Sequence, residues 1–138
     1  MKGRGILYWL VLAIALVTLI SGIVQLLNPG FVLRIVSAEE TPATRHFFGI
    51  VGMFMALFGG MLAHALLRAE RQTIILIWTG LQKIGASAAV GLGVNHQIFS
   101  SRALLISAFD LLSGILIFVY LGVLIAAGNT SWKPSSDR

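Results

Sequence analysis

ALLISAFDLLSGILIFVYLGVLIAA, residues Ala103 to Ala127, is a run of 25 residues with a single charged side chain, Asp110. A hydrocarbon layer about 30 Å thick needs roughly 20 helical residues at about 1.5 Å each, so the run is long enough to cross. It is far longer than the roughly 10 residues of a membrane strand. Inside hydrocarbon every peptide group needs an internal partner, and a helix supplies one from its own backbone. The stretch reads as a transmembrane helix.

Three further runs of the same kind lie upstream: Ile6 to Leu27, Phe47 to Leu67 and Thr73 to Val94. The composition agrees, because 57% of the 138 residues are hydrophobic and 11% are charged. A soluble domain carries about a quarter charged residues and could not hide so much apolar surface. The fold class expected is all-α: a single-domain integral membrane bundle of four up-down helices spanning about 6–27, 42–67, 73–94 and 102–127, with a flexible tail over 128–138. With no cysteine in the chain, disulfides and thiol chemistry are excluded. The net charge of +5 sits in short segments between apolar runs rather than on one polar surface, which argues against nucleic acid as a partner.

Local chemistry marks the helix ends. Asn28, Pro29 and Gly30 end the first helix with turn residues. Thr41 is suited to be the N-cap of the second helix, with Pro42 at its first position. The apolar segment from Phe31 to Ala38 contains Arg34 and is too short to cross, so it is expected to lie at the interface. The first run follows Lys2 and Arg4 and precedes Val36, Ser37 and Ala38, which resemble a signal-peptide cleavage site. Its apolar core is 22 residues against about 7 to 15 for a signal peptide, so it is expected to remain as a helix.

Lys2, Arg4, Arg68, Arg71, Lys133 and Arg138 fall on one side of this topology, and Arg34, Arg45 and Arg102 on the other. The excess places both termini in the cytoplasm, on one side of a membrane crossed several times. Tyr8, Trp9 and Trp132 are expected at the same edge, where amphipathic rings prefer to sit.

Lipid offers helices no hydrophobic reason to associate, so contacts rely on small residues. Two stripes at spacing four qualify: Gly52, Ala56 and Gly60 in the second helix, and Gly85, Ala89 and Gly93 in the third. They are expected to face each other or a second copy of the chain, the alternative being a neutral face toward lipid.

Lys83 and Asp110 are the charges inside the runs. A charge near the bilayer centre costs about 2.5 to 3.5 kcal/mol on insertion scales, so each needs a partner, a water-filled cavity or neutralisation. Thr79, Lys83 and Ser87 share one face of the third helix with Gln82 beside it, and Ser107, Asp110 and Ser113 share a face of the fourth. These faces are expected to turn inward. Counted from the connecting loop, Lys83 lies about 18 Å deep and Asp110 about 12 Å. Side chains lean toward their own N-termini, which moves the two heads apart and leaves direct pairing open. The cluster reads either as a network that fixes the bundle's register or as a proton-responsive or ligand-binding site.

His64 continues the small-residue stripe of the second helix and joins the candidate residues, as an interface histidine or as a metal or haem ligand. His46 and His96 belong at the opposite boundary, facing solvent or headgroups. Glu39 and Glu40 read as loop charge. The sequence contains no metal cluster, nucleophile elbow or phosphate-binding loop, and it names no catalytic residue or cofactor.

The segment Gln25, Leu26, Leu27, Asn28 and Pro29 after the first helix, the glycine-rich second helix, Gln82 with Lys83 and then Asp110 together resemble small four-helix bacterial inner-membrane proteins of the DoxX-like type. The resemblance implies membrane lipid, a quinone or a larger membrane complex as partner. The function expected is a non-enzymatic accessory subunit, or a binder of a small apolar ligand such as lipid or quinone at the Lys83/Asp110 face. The alternatives are a proton-coupled transporter working as an oligomer and a lipid-modifying enzyme using Asp110 or His64.

Overall fold

The computed structural model describes residues 5–68 and 73–128. Five helices follow in order: α1 Ile6–Leu27, α2 Pro29–Ile35, α3 Pro42–Leu67, α4 Thr73–Asn95 and α5 Ala103–Ala126. No strand occurs among the described residues. Helices α1, α3, α4 and α5 are each long and apolar enough to cross a membrane, and the chain is a small integral membrane protein. Lys2, Arg4, Arg71, Lys133, Arg138, Trp132 and the tail from 129 onward lie outside the described residues, as does the Ala69 to Gln72 part of the expected α3–α4 loop.

The four long helices form a ring in which α1 packs on α3, α3 on α4, α4 on α5, and α5 back on α1. The α1/α3 and α4/α5 pairs are the intimate ones, and backbone approach explains why. A Cβ on Gly22 would stand 2.4 Å from the Ala56 backbone nitrogen, and one on Gly52 would stand 2.5 Å from that of Leu26. Gly59 is pressed against Leu19 in the same way, at 2.5 Å. Only hydrogen fits between backbones this close, so these glycines set the α1/α3 distance.

The small-residue stripes divide by what they meet within this chain. On α3 the seam runs through Gly52, Ala56 and Gly59, while Gly60 makes only an ordinary contact with the Leu19 side chain at 3.7 Å. On α4, Gly85 has nothing within 4 Å of a Cβ and Ala89 is exposed. Gly93 is covered by the Phe99 ring of its own loop. The physical reason is angular: two residues along a helix is about half a turn, so Gly85 and Ala89 lie opposite Lys83 and Ser87. The α4 face that meets α5 is the polar one, with Gly80 and Gly114 allowing the approach.

Asn28 and Pro29 stop α1 as the turn chemistry requires, but the chain re-enters a helix at once rather than running extended. Asn28 caps α2, its Oδ1 accepting from the Phe31 N–H at 3.2 Å, and Pro29 takes the first helical position. The interfacial segment is therefore a short helix packed on α1 and α3. Thr41 caps α3 as its residue type suggests: the Thr44 N–H donates to Thr41 Oγ1 at 3.1 Å, and the Thr41 N–H donates to Thr44 Oγ1 at 2.8 Å. Each bond satisfies a donor that a helix start leaves free.

One half of the ring, where α1 and α4 begin and α3 and α5 end, is filled by an apolar core including Val11, Ala15, Leu62, Leu76, Ile117 and Leu121. Tyr8 belongs to that core, not to an outer aromatic belt. Its hydroxyl donates to the Leu66 carbonyl at 3.0 Å, one of the carbonyls that a helix end leaves without an intrahelical partner. Trp9, one residue on, faces outward. The polar residues begin where this apolar core stops, toward the half that carries α2.

Candidate functional site

Lys83 on α4 and Asp110 on α5 form a buried ion pair, with Lys83 Nζ donating to Asp110 Oδ1 at 2.6 Å. Only 1% of the Lys83 side chain and 8% of the Asp110 side chain is exposed. The Phe109 ring lies 5.2 Å from Lys83 Nζ at its centroid, so the cation has a carboxylate on one side and an aromatic π-system on another.

The helix ends do not coincide, and that brings the pair together. Ser87 and Ser107 face each other at 2.9 Å, although Ser87 is eight residues from the end of its helix and Ser107 is four residues into its own. Helix α4 thus extends about one turn beyond the start of α5, which cancels most of the depth difference that counting from the loop suggests. The loop returns over that extra turn. The Ile98 and Phe99 N–H groups donate to the Gly93 carbonyl at 2.8 and 3.2 Å, and the Phe99 ring covers Gly93, where a Cβ would collide at 2.4 Å. The Ser100 N–H donates to the Val36 carbonyl at 2.8 Å, tying the loop to the end of α2.

One turn from the ion pair, the Ser107 hydroxyl also donates to the Ser87 carbonyl at 2.9 Å. Ser113 is buried on the same face of α5, next to Gly114. Thr79 is buried one turn before Lys83, and its Oγ1 has no hydrogen-bond partner among the described residues. Gln82 Oε1 is likewise buried without a partner. An unmet buried polar atom costs about 1–3 kcal/mol, so both atoms retain binding capacity beside the charged pair.

His64 does not join this cluster. It is exposed on the outer face of α3, while Leu62, Ala63, Ala65 and Leu66 turn inward. The α3 seam through Gly52, Gly59 and Leu66 repeats every seven residues, and a spacing of four drifts off it. Among the described residues, no group of three His, Cys, Asp or Glu could hold a metal ion.

Two residues of α1 also belong to the polar interior, a role that the sequence reading did not give them. Thr18 is buried with Oγ1 unpartnered, and the Gln25 side-chain amide donates to the Phe48 carbonyl of α3 at 2.9 Å. The signal was present in the spacing: Ala15, Thr18, Gly22 and Gln25 recur every three or four residues as a small and polar stripe on an otherwise apolar helix.

At the α2 end, Glu40 bridges Arg34 at 3.4 Å and Arg45 at 3.5 Å. A groove of about 350 Å³ opens beside them, lined by Leu26, Pro29, Arg45, His46, Gly49, Ile50 and Met53. The chain matches no protein-family model, no curated protein and no solved structure.

Proposed function

We propose that this small membrane protein binds an apolar molecule with a hydrogen-bonding head, a quinone or quinol, at the Lys83/Asp110 face. It does so as an accessory component of a larger membrane assembly, the role that its resemblance to the DoxX-like type implies. The observation that carries the reading is a closed ion pair between α4 and α5 together with two buried, unpartnered polar atoms of α4, Thr79 Oγ1 and Gln82 Oε1. The pair satisfies its own charges, so a ligand need bring none. A quinone carbonyl accepts from the Thr79 hydroxyl, and a quinol hydroxyl donates to Gln82 Oε1. The Phe109 ring and the surrounding apolar side chains suit a ring and tail that partition into lipid. The excess of Lys and Arg at the end carrying both termini supports placing that end on the cytoplasmic side of a bacterial inner membrane.

The test is purification in a gentle detergent, with mass spectrometry of the small molecules and proteins that accompany the chain. The comparison is with a Thr79→Val, Gln82→Leu variant, which keeps shape and ion pair and removes the free polar atoms. Quinone should accompany the wild type and leave the variant. Wild-type protein with no more quinone than an unrelated membrane protein purified alongside would sink the reading.

A further inference from the structure

The groove at the α2 end is separate from the Lys83 site, and the geometry points to a specific occupant: one phospholipid, bound through its phosphate. It opens where α1 stops at Leu27 and α3 starts at Pro42. This is the level at which apolar spans give way to headgroups. Its lining changes along α3 in the order a lipid would. Arg45 and His46 stand in the first turns, Gly49 and Ile50 follow, and Met53 lies about 12 Å deeper than Arg45 at the helical rise. Leu26 of α1 forms the facing wall. Positions 46, 49, 50 and 53 share one helical face, so a polar entrance continues into an apolar track.

The Arg45 guanidinium at the groove entrance fits the phosphate. Arg34 and Arg45 share the carboxylate of Glu40, and with the exposed Glu39 beside it the four charges cancel, so selection rests on guanidinium geometry rather than on net charge. Neither contact is as short as the roughly 2.7–2.9 Å of a strong charge-assisted hydrogen bond. The side chains of Arg34 and Arg45 are 63% and 55% exposed, so Arg45 keeps free donors toward the groove. A guanidinium matches two phosphate oxygens at once. Gly30 leaves the space that the Glu40 carboxylate occupies, since any Cβ there would stand 2.5 Å from its Oε1. The carboxylate thus orients the two arginines without saturating either.

Full-length protein is equilibrated in mixed micelles with equal phosphatidylglycerol and diacylglycerol, which lacks the phosphate, of matched acyl chains, and bound lipid is read by native mass spectrometry. The phosphatidylglycerol adduct should dominate by about tenfold, the size expected for one charge-assisted hydrogen bond. Arg45→Gln should bring the ratio near one, and Ile50→Trp, which fills the groove, should remove both adducts. Arg102→Gln removes a charge from the α4–α5 loop without touching the groove and should leave the preference intact. Equal adducts in the wild type, a preference that survives Arg45→Gln, or one that Arg102→Gln weakens as much would each overturn the proposal. So would a dimer that disappears with Ile50→Trp, because the groove would then hold a second copy of the chain.

Discussion

Lys83 and Asp110 stand 2.6 Å apart at one level of the bundle, although the loop joining their helices is reached after twelve residues from Lys83 and only seven residues separate Asp110 from the start of α5. The stagger of the two helix ends closes the gap. It also means that each charge is the other's burial partner, with direct consequences for substitution.

Removing one member of a buried pair strands the other, at a cost of about 3–5 kcal/mol, whereas replacing both by apolar residues is often neutral or stabilising by about 1–4 kcal/mol. Lys83→Met and Asp110→Leu should each lower the unfolding midpoint strongly, and the double variant should recover most or all of the loss. Reversible unfolding in mixed micelles measures this. Additive losses would mean that the two groups do not depend on each other.

Glycine substitutions should divide by what the new methyl meets. Gly22→Ala and Gly52→Ala press on backbone atoms of the partner helix at 2.4 and 2.5 Å and should cost about 1–3 kcal/mol each, the usual range for overpacking. Gly85→Ala meets nothing within 4 Å and should gain about 0.5–1 kcal/mol from helix propensity. Thermal unfolding of the three variants side by side tests the difference. A clear loss at Gly85 would show that another molecule covers this face.

The paired serines are unequal. Ser107→Ala removes the hydroxyl that reaches both Ser87 Oγ and the Ser87 carbonyl, whereas Ser87→Ala leaves Ser107 the carbonyl as acceptor. Interhelical hydrogen bonds in membranes average about 0.6 kcal/mol with a maximum near 1.7. Ser107→Ala should therefore fall in that range and Ser87→Ala below it. The reverse order, in the same unfolding assay, would contradict the bonding pattern.

His64→Leu should change stability by no more than about 0.5 kcal/mol, as surface substitutions usually do, and should leave small-molecule co-purification unaltered. Both follow from its exposed position on α3. A loss of the accompanying molecule would place a binding surface on the outside of α3.

Much of the fold was legible because its cause is local. Span length and apolarity produced the four crossing helices, and Thr41 with Pro42 marked the start of α3, because those signals act through neighbouring backbone. The polar faces of α4 and α5 could be predicted to turn inward, since a charge in lipid is costly wherever the rest of the chain goes. The direct Lys83–Asp110 contact could not. It depends on how far α4 overshoots α5, and the Phe99 ring over Gly93 helps set that relation across a turn that residue counting cannot measure.

The glycine stripes show the same division. Small residues at spacing four announced that helices pack, and the sequence alone determined that. Which stripe meets a partner was decided only by tertiary structure. Helix α4 has polar residues on one side and Gly85 and Ala89 on the other, and a single neighbouring helix can cover just one of them. The charged face took it, because an uncovered Gly costs nothing in lipid and an unpaired Lys83 costs several kcal/mol by order of magnitude.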